Sequence, residues 1–307
     1  MEKWTAKDIP SQQGRSAIVT GTGGLGYEDA LALALAGADV IVAGRNAQKG
    51  ADAVASIRAA VPAAKVRFEQ LDLASLKSVE NFATRLNGQL DSLDLLVNNA
   101  GVMVPPERQE TADGFELQFG TNYLGHFALT AHLLPLLRRG KEARVVTLSS
   151  IAARPGKIDF DDLQSRKTYK PMQAYSQSKL ACLMLAFELQ RRSTAEGWGV
   201  TSLAAHPGVS RTELLHNAPG RGSLISAARS AMWFIFQPAA QGALPTLYAA
   251  TSPAAVPGAY YGPHAFGEIR GYPAFSKVPE RAADQAVARR LWQVSEQLAG
   301  IGVSAEA

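Results

Sequence analysis

The chain has 307 residues, 47% of them hydrophobic and 19% charged, which excludes a disordered protein and allows one large domain with a deep core. Its formal charge of +4 is dispersed, without a Lys/Arg tract or zinc-finger spacing, so it suits an anionic small ligand and argues for no nucleic-acid partner. The single cysteine, Cys182, excludes an intrachain disulfide and every multi-cysteine metal site, and no metal is expected; residues 1–16 lack the apolar stretch of a signal peptide and no apolar run is long enough for an integral membrane segment, so the expected location is cytoplasmic.

Residues 17–20 read as a short buried strand, followed at once by the glycine-rich turn Gly21-Thr22-Gly23-Gly24-Leu25-Gly26 and an Ala/Leu-rich helix to about residue 36, which Gly37 is placed to stop. The unit then repeats: a strand at 39–43, a helix at 47–59, a strand at 66–69, a helix at 76–86 and a strand at 93–98. Helices are expected over 114–137 and 174–192, with strands at 144–148 and 200–204. Short apolar strands alternating with long helices indicate an α/β fold, a doubly wound Rossmann-like parallel sheet with helices on both faces.

Pro105, Pro155, Pro207 and Pro219 mark loops at strand ends and no interdomain linker appears, so residues 1–307 are expected to form a single domain. Residues 209–257 read as a substrate-binding lobe embedded in it, with apolar helices near 224–236 and 239–250. A last strand at 259–261 and an amphipathic helix over 280–298, carrying Val287, Leu291, Val294 and Leu298, close the chain.

Glycines after the first strand allow close approach. Gly21, Gly24 and Gly26 let the backbone turn tightly and bring amide donors and a helix N-terminus against a pyrophosphate, although an ordinary strand-to-helix turn has the same composition. The second strand ends Ala43-Gly44-Arg45-Asn46, with no acidic residue to grip a ribose 2′-hydroxyl. Arg45 can instead meet a 2′-phosphate, which favours NADP(H) and keeps NAD(H) as the second choice; a solvated strand-end arginine is the competing reading. Asp72 and Leu73, after the third strand, are candidates to bind and flank an adenine, and Asn98-Asn99-Ala100-Gly101 suits a tight turn beside the cofactor.

Tyr175 and Lys179 are four residues apart, so a helix presents them on one face. Hydride transfer to a carbonyl develops alkoxide character and needs a proton; a free tyrosine is a weak acid, with a pKa of about 10, and a neighbouring ammonium favours its phenolate. The spacing alone is unspecific, but Ser149-Ser150 directly follows a strand, at the end of the sheet where doubly wound folds bind ligands. Ser150 is placed to orient a substrate oxygen, and Asn122 with a bound water is a candidate link to Lys179.

Together the glycine turn, Asn98-Asn99-Ala100-Gly101, Asn122, Ser150, Tyr175, Lys179 and Pro207-Gly208 resemble the short-chain dehydrogenase/reductase family over about residues 15–210. The stretch Thr121-Asn122-Tyr123-Leu124-Gly125-His126-Phe127 and the long segment 156–171 resemble its retinol-dehydrogenase-like branch. The resemblance implies that Ser150 positions the carbonyl or hydroxyl, that Tyr175 is the acid in reduction and the base in oxidation, and that Lys179 also binds the nicotinamide ribose. It implies a relay water on Asn122, Val209 and Thr212 against the nicotinamide beyond Pro207-Gly208, Arg45 as selector of NADP, and a possible homodimer.

One departure stands out: the family turn has three residues between Thr-Gly and the next glycine, whereas here only Thr22 and Gly23 separate Gly21 from Gly24. Two functions therefore compete, an oxidoreductase interconverting an alcohol and a carbonyl on an apolar small molecule, and a catalytically impaired dinucleotide-binding regulatory protein. The apolar patch Met232, Trp233, Phe234 and Phe236 suggests core packing or an apolar substrate pocket, with a membrane or subunit contact behind these. Cys182 and the five histidines are expected to be structural.

Overall fold

The computed structural model describes residues 3–210 and 237–303. Eight strands form one sheet: β1 (Ser16–Thr20), β2 (Asp39–Gly44), β3 (Val66–Gln70), β4 (Leu95–Asn98), β5 (Arg144–Leu148), β6 (Thr201–Ala205), β7 (Tyr260–Ala265) and β8 (Arg270–Phe275), in the order β3-β2-β1-β4-β5-β6-β7-β8. All neighbours pair in parallel except β7 with β8, which are antiparallel. The strand order reverses between β1 and β4, and a doubly wound sheet opens a ligand crevice at the C-terminal ends of the strands on either side of that point.

The sheet is covered on both faces because its strands are apolar on both. Residues of β1, β4, β5 and β6 alternate between two cores: Ile18, Leu96, Val145 and Ala204 face one, and Val19, Val97, Val146 and Leu203 the other. The first core is closed by α3 (Leu76–Asn87), α4 (Gly125–Arg138), α5 (Pro171–Glu196) and α7 (Gln285–Ala299). The second is closed by α1 (Leu25–Leu35), α2 (Ala47–Ala60) and α6 (Ala239–Thr251). Local signals set the helix limits: Asn46, Ser75 and Asp284 cap α2, α3 and α7 with side-chain acceptors, and Gly197 and Gly300 end α5 and α7 in left-handed backbone.

Three differences from the sequence reading have physical causes. The helix expected over 114–137 begins later and its first part, Phe119–Leu124, is π-wound before α4 continues. The last strand gains an antiparallel partner, β8, whose Gly, Pro and Tyr residues gave no apolar alternation to read. The final helix is divided at Asp284, which ends a short 3₁₀ turn (Glu280–Ala283) and N-caps α7; its buried stripe is Ala288, Leu291, Trp292 and Ser295, with Val287, Val294 and Leu298 only partly buried around it. Of the expected substrate lobe, α6 packs on α1 and the sheet, whereas the helix expected near 224–236, including Met232, Trp233, Phe234 and Phe236, lies outside the described residues.

Candidate active site

The glycine turn closes although it is one residue short. Gly21, at φ +103°, donates its N–H to Ala43 O at 2.7 Å, and a Cβ at Gly26 would fall 2.6 Å from Gly21 O, so the first turn of α1 rests directly on the crossing. Gly24, at φ +53°, caps α1 without any side-chain hydrogen bond, and Gly23 borders open space. The N–H groups of the Leu25–Gly26 turn thus lack a side-chain acceptor, and this donor set fits the pyrophosphate of a dinucleotide.

Thr22 leans toward the second strand. A Cβ at Gly44 would lie 2.7 Å from its methyl group, which puts the exposed Arg45 beside the turn. Asp72 spends Oδ1 on the N–H of Ala74 (3.0 Å), and its own N–H donates to Ser78 Oγ (3.0 Å). Leu73 is buried, its carbonyl packed where a Cβ on Gly125 would stand 2.4 Å away. The turn Asn98-Asn99-Ala100-Gly101 is tied to β1: Asn99 Nδ2 donates to Thr20 O (2.7 Å), and the N–H groups of Asn99 and Ala100 both donate to Thr20 Oγ1 (2.9 Å each).

That hydroxyl opens a directional chain into the centre of the protein. Having accepted twice, Thr20 Oγ1 donates to His126 Nε2 at 2.9 Å, since His126 Nδ1 carries the proton given to Asn122 O at 2.9 Å. Burial holds the His126 ring neutral by lowering its pKa to about 4, against the opposing pull of the Asn122 carbonyl and with some help from the Lys179 charge. Cys182 Sγ donates to the same carbonyl at 3.1 Å. Burial pushes its thiol pKa up, so Cys182 is a buried, unreactive donor.

The π-wound segment sets Asn122 across the strand ends, in keeping with the frequent placement of such bulges at functional sites. Glu116 caps this segment, accepting from the N–H groups of Gln118 (3.0 Å) and Phe119 (2.7 Å). The Asn122 side chain holds the loop after Gly101 in place, Oδ1 accepting from Val102 N (2.7 Å) and Nδ2 donating to Val102 O (3.0 Å) and Ser178 Oγ (3.0 Å). A relay water on Asn122 therefore has only the remaining lone pair of Oδ1 to use.

Tyr175 and Lys179 lie on the buried side of α5, 8% and 6% exposed. Lys179 Nζ donates to Leu148 O at 3.0 Å, and Ser149 Oγ donates to Lys179 O at 2.7 Å, which fixes α5 against the end of β5. A Cβ at Gly101 would stand 3.0 Å from Asn122 Oδ1 and 3.7 Å from Lys179 Nζ, so both groups border the bare Gly101 backbone. Ser150 begins the next turn, its Oγ accepting from Ala152 N at 3.1 Å. Asn122, Ser150 and Lys179 thus stand near the C-terminal ends of β4 and β5, and α5 carries Tyr175 one turn before Lys179.

Pro207, Gly208 and Val209 follow β6 at the same edge, and Thr212 lies outside the described residues. The segment 156–171 is stapled across the site by Tyr169 Oη to Pro105 O (2.9 Å) and Gln177 Nε2 to Leu163 O (3.1 Å). Sequence reasoning missed Thr20, Ser149, Ser178 and the polar role of His126. Of these only His126 carried a signal, its spacing of one helical turn from Asn122.

Known proteins resemble this chain over most of its length. The family profile described as short chain dehydrogenase matches residues 15–220. The chain is 44% identical to the polyprenol dehydrogenase of Mus musculus, covering 96% of this chain and 86% of that one, and 42% identical to the retinol dehydrogenase 13 of Homo sapiens, covering 94% and 85%. Among solved structures it superposes on an uncharacterized protein from Mycobacterium Paratuberculosis with a TM-score of 0.81 at 40% identity, covering 98% and 99% of the two chains. A Pseudomonas aeruginosa RhlG/NADP active-site complex is similar at a TM-score of 0.64 and 26% identity, covering 81% and 94%.

Proposed function

The chain belongs to the short-chain dehydrogenase/reductase family, in its retinol-dehydrogenase-like branch, and is an NAD(P)-dependent oxidoreductase; on that premise we propose that it interconverts an alcohol and a carbonyl on an apolar small molecule with NADP(H). The Gly21–Gly26 turn, Asn99–Gly101 and the Pro207–Val209 loop would hold the dinucleotide, the glycine turn at its pyrophosphate, and its nicotinamide would supply or accept the hydride. The observation that carries the reading is that Asn122 and Lys179 both border Gly101, after β4, while Tyr175 lies one turn before Lys179 on the buried part of α5.

In reduction Tyr175 gives its phenolic proton to the substrate oxygen, and in oxidation it takes that proton back. Lys179 supplies a fixed positive charge one helical turn away and Ser150 orients the substrate oxygen. Asn122 braces the Val102 loop and, through its free lone pair, seats the water that leads toward Lys179. Polyprenol and retinol, the alcohols in the names of the relatives, are both apolar, which supports an apolar substrate here. Arg45, exposed beside Thr22, supports NADP over NAD through its match to a 2′-phosphate.

The test is a spectrophotometric screen of apolar alcohols and carbonyls with NADP(H) and NAD(H) in parallel, on the native protein and Tyr175→Phe. The variant is expected to lose about 10²–10⁴-fold in turnover while binding cofactor as before. Full turnover in Tyr175→Phe would remove the tyrosine from its role, and a clear NAD preference would overturn the reading of Arg45.

A further inference from the structure

The β7–β8 hairpin carries a charged cluster that the proposed chemistry does not use. Its tip, Phe266-Gly267-Glu268, runs in left-handed backbone at φ +53°, +67° and +70°, a conformation that costs a non-glycine residue about 1 kcal/mol or more. Glu268 is held there by groups from three separate segments. Arg154 Nη2, from the turn that begins at Ser150, lies 2.7 Å from Glu268 Oε2. His206 Nε2, at the end of β6, lies 3.0 Å from the same oxygen; Ser276 Oγ donates to that oxygen, and the N–H of Lys277 donates to Oε1 at 3.0 Å.

The cluster is joined to the Pro207–Ser210 loop by backbone. His206 Nδ1 accepts from Gly208 N at 3.1 Å, which leaves Nε2 as the proton-bearing nitrogen facing Glu268. Val209 N donates to Ile269 O at 2.9 Å, one residue beyond Glu268. Gly208 sits at φ +63° so close to the tip that a Cβ would fall 2.2 Å from Ile269 O. Gln237 bridges the same two segments, donating to Pro207 O at 2.7 Å and accepting from Gly271 N at 3.0 Å.

From this geometry we infer that Glu268 is a positioning residue for the nicotinamide-side loop: it locks the hairpin tip against Gly208 and Val209 and ties that loop, through Arg154, to the turn that carries Ser150. The inference rests on the proposed function, in which the Pro207–Val209 loop lines the cofactor. The charge state agrees with it. Burial pushes the Glu268 pKa up, but the hydrogen bonds from His206, Ser276 and Lys277 and the Arg154 charge outweigh burial and hold it at about 2, so the carboxylate is ionised throughout the working range.

The experiment measures the dissociation constant of NADPH by fluorescence titration, with kcat and cofactor KM at saturating substrate, in the native protein, Glu268→Gln and Arg154→Gln. Glu188→Gln, which breaks a comparable cluster of the buried Glu188 with Arg191 and Arg192 in the C-terminal half of α5, is the control for a general loss of stability. The expected result is a rise of about tenfold in both cofactor constants for Glu268→Gln, equivalent to ~1.4 kcal/mol. Arg154→Gln should give a smaller rise, kcat should stay within about threefold, and cofactor binding in Glu188→Gln should be unchanged.

Arg154 is partly exposed, so its variant carries the test if Glu268→Gln does not fold. Unchanged NADPH binding in the folded variants, or a fall in kcat without a change in binding, would overturn the inference and leave the cluster a structural fastening. A native protein that binds neither NADPH nor NADH would overturn the proposed function and this inference with it, a result separable because the variants would then not differ from the parent.

Discussion

The two faces of the sheet beside the glycine turn differ in how far their buried polar groups are linked to one another. On the α4/α5 face, Thr20, His126, Asn122, Ser178 and Cys182 are joined by directed hydrogen bonds. On the α1/α6 face, Asp29 lies one helical turn beyond Leu25, fully buried, with no hydrogen-bond partner for either carboxylate oxygen among the described residues. Thr246 Oγ1 in α6, the helix packed on α1, is likewise unpartnered. Burial, reinforced by the neighbouring Glu28 charge, raises the Asp29 pKa well above the usual carboxylate range, so it stays protonated. Nothing in the structure explains why an aspartate stands there. The difference is one of connection: the polar groups around Asn122 are linked across segments, although Asn98 Oδ1, Thr121 Oγ1 and Thr147 Oγ1 nearby have no partner among the described residues, while the other face buries an isolated acid.

The largest effect is expected on the linked face. His126→Leu removes the group that joins Thr20 to Asn122 and costs each one hydrogen bond, although Thr20 Oγ1 keeps Val97 O and the Asn122 carbonyl keeps Cys182 Sγ, so unfolding free energy should fall by about 1–3 kcal/mol. Urea unfolding measures it. A loss below about 0.5 kcal/mol would mean that the network adds nothing beyond packing. On the other face, Asp29→Ala should stabilise the protein by about 1 kcal/mol, because an unpaired acid is removed and alanine is the better helix former. Destabilisation by that amount would show a hidden partner for Asp29. The smallest effect is expected for Thr246→Val, which replaces an unpartnered hydroxyl with a methyl group and should change stability by no more than about 0.5 kcal/mol, in the stabilising direction.

The same contrast predicts opposite pH responses. His126 is held neutral below its ordinary pKa of 6.5, so its contribution is present above about pH 6.5 and is lost as the pH falls toward about 4, where the unfolded chain binds the proton first. Asp29 is the reverse. Its folded pKa is raised, so its contribution is complete below about pH 4 and is lost as the pH rises toward the raised value. Between about pH 4 and 6.5 the two residues therefore tilt the stability curve in opposite directions. Asp29→Ala should steepen the loss of stability on acidification, and His126→Leu should make it shallower, with buried His206 still contributing in the same sense as His126. Parallel slopes in the two variants, followed by thermal unfolding across that range, would remove the assignment.

Much of the fold was legible because it is written in short-range patterns. Apolar runs at 17–20 and 144–148, the glycine turn, and the Tyr175–Lys179 spacing each lie within one strand or a few helical turns. The π-wound segment was not legible, since no local residue pattern marks it and the groups that hold its side chains, Glu116 and the Val102 loop, lie outside it. Strand β8 was missed for a similar reason: Arg270–Phe275 contains Gly271 and Pro273, and its pairing depends on β7 already standing at the sheet edge. Glu268, 62 residues from His206, gave no local sign of the partner it meets.

The sequence by itself determined the alternation of strands and helices, the family, and the identity of the four residues offered for proton delivery, because those depend on residue type and spacing along the chain. Only the tertiary structure decided that Asn122 and Lys179 both border Gly101, that Thr20 and His126 lock the glycine turn to Asn122, and that Glu268 fastens the far hairpin to Gly208. Those contacts join segments tens of residues apart. Their hydrogen bonds can form only after the sheet has brought the strand ends to a common edge, so no local pattern announces them.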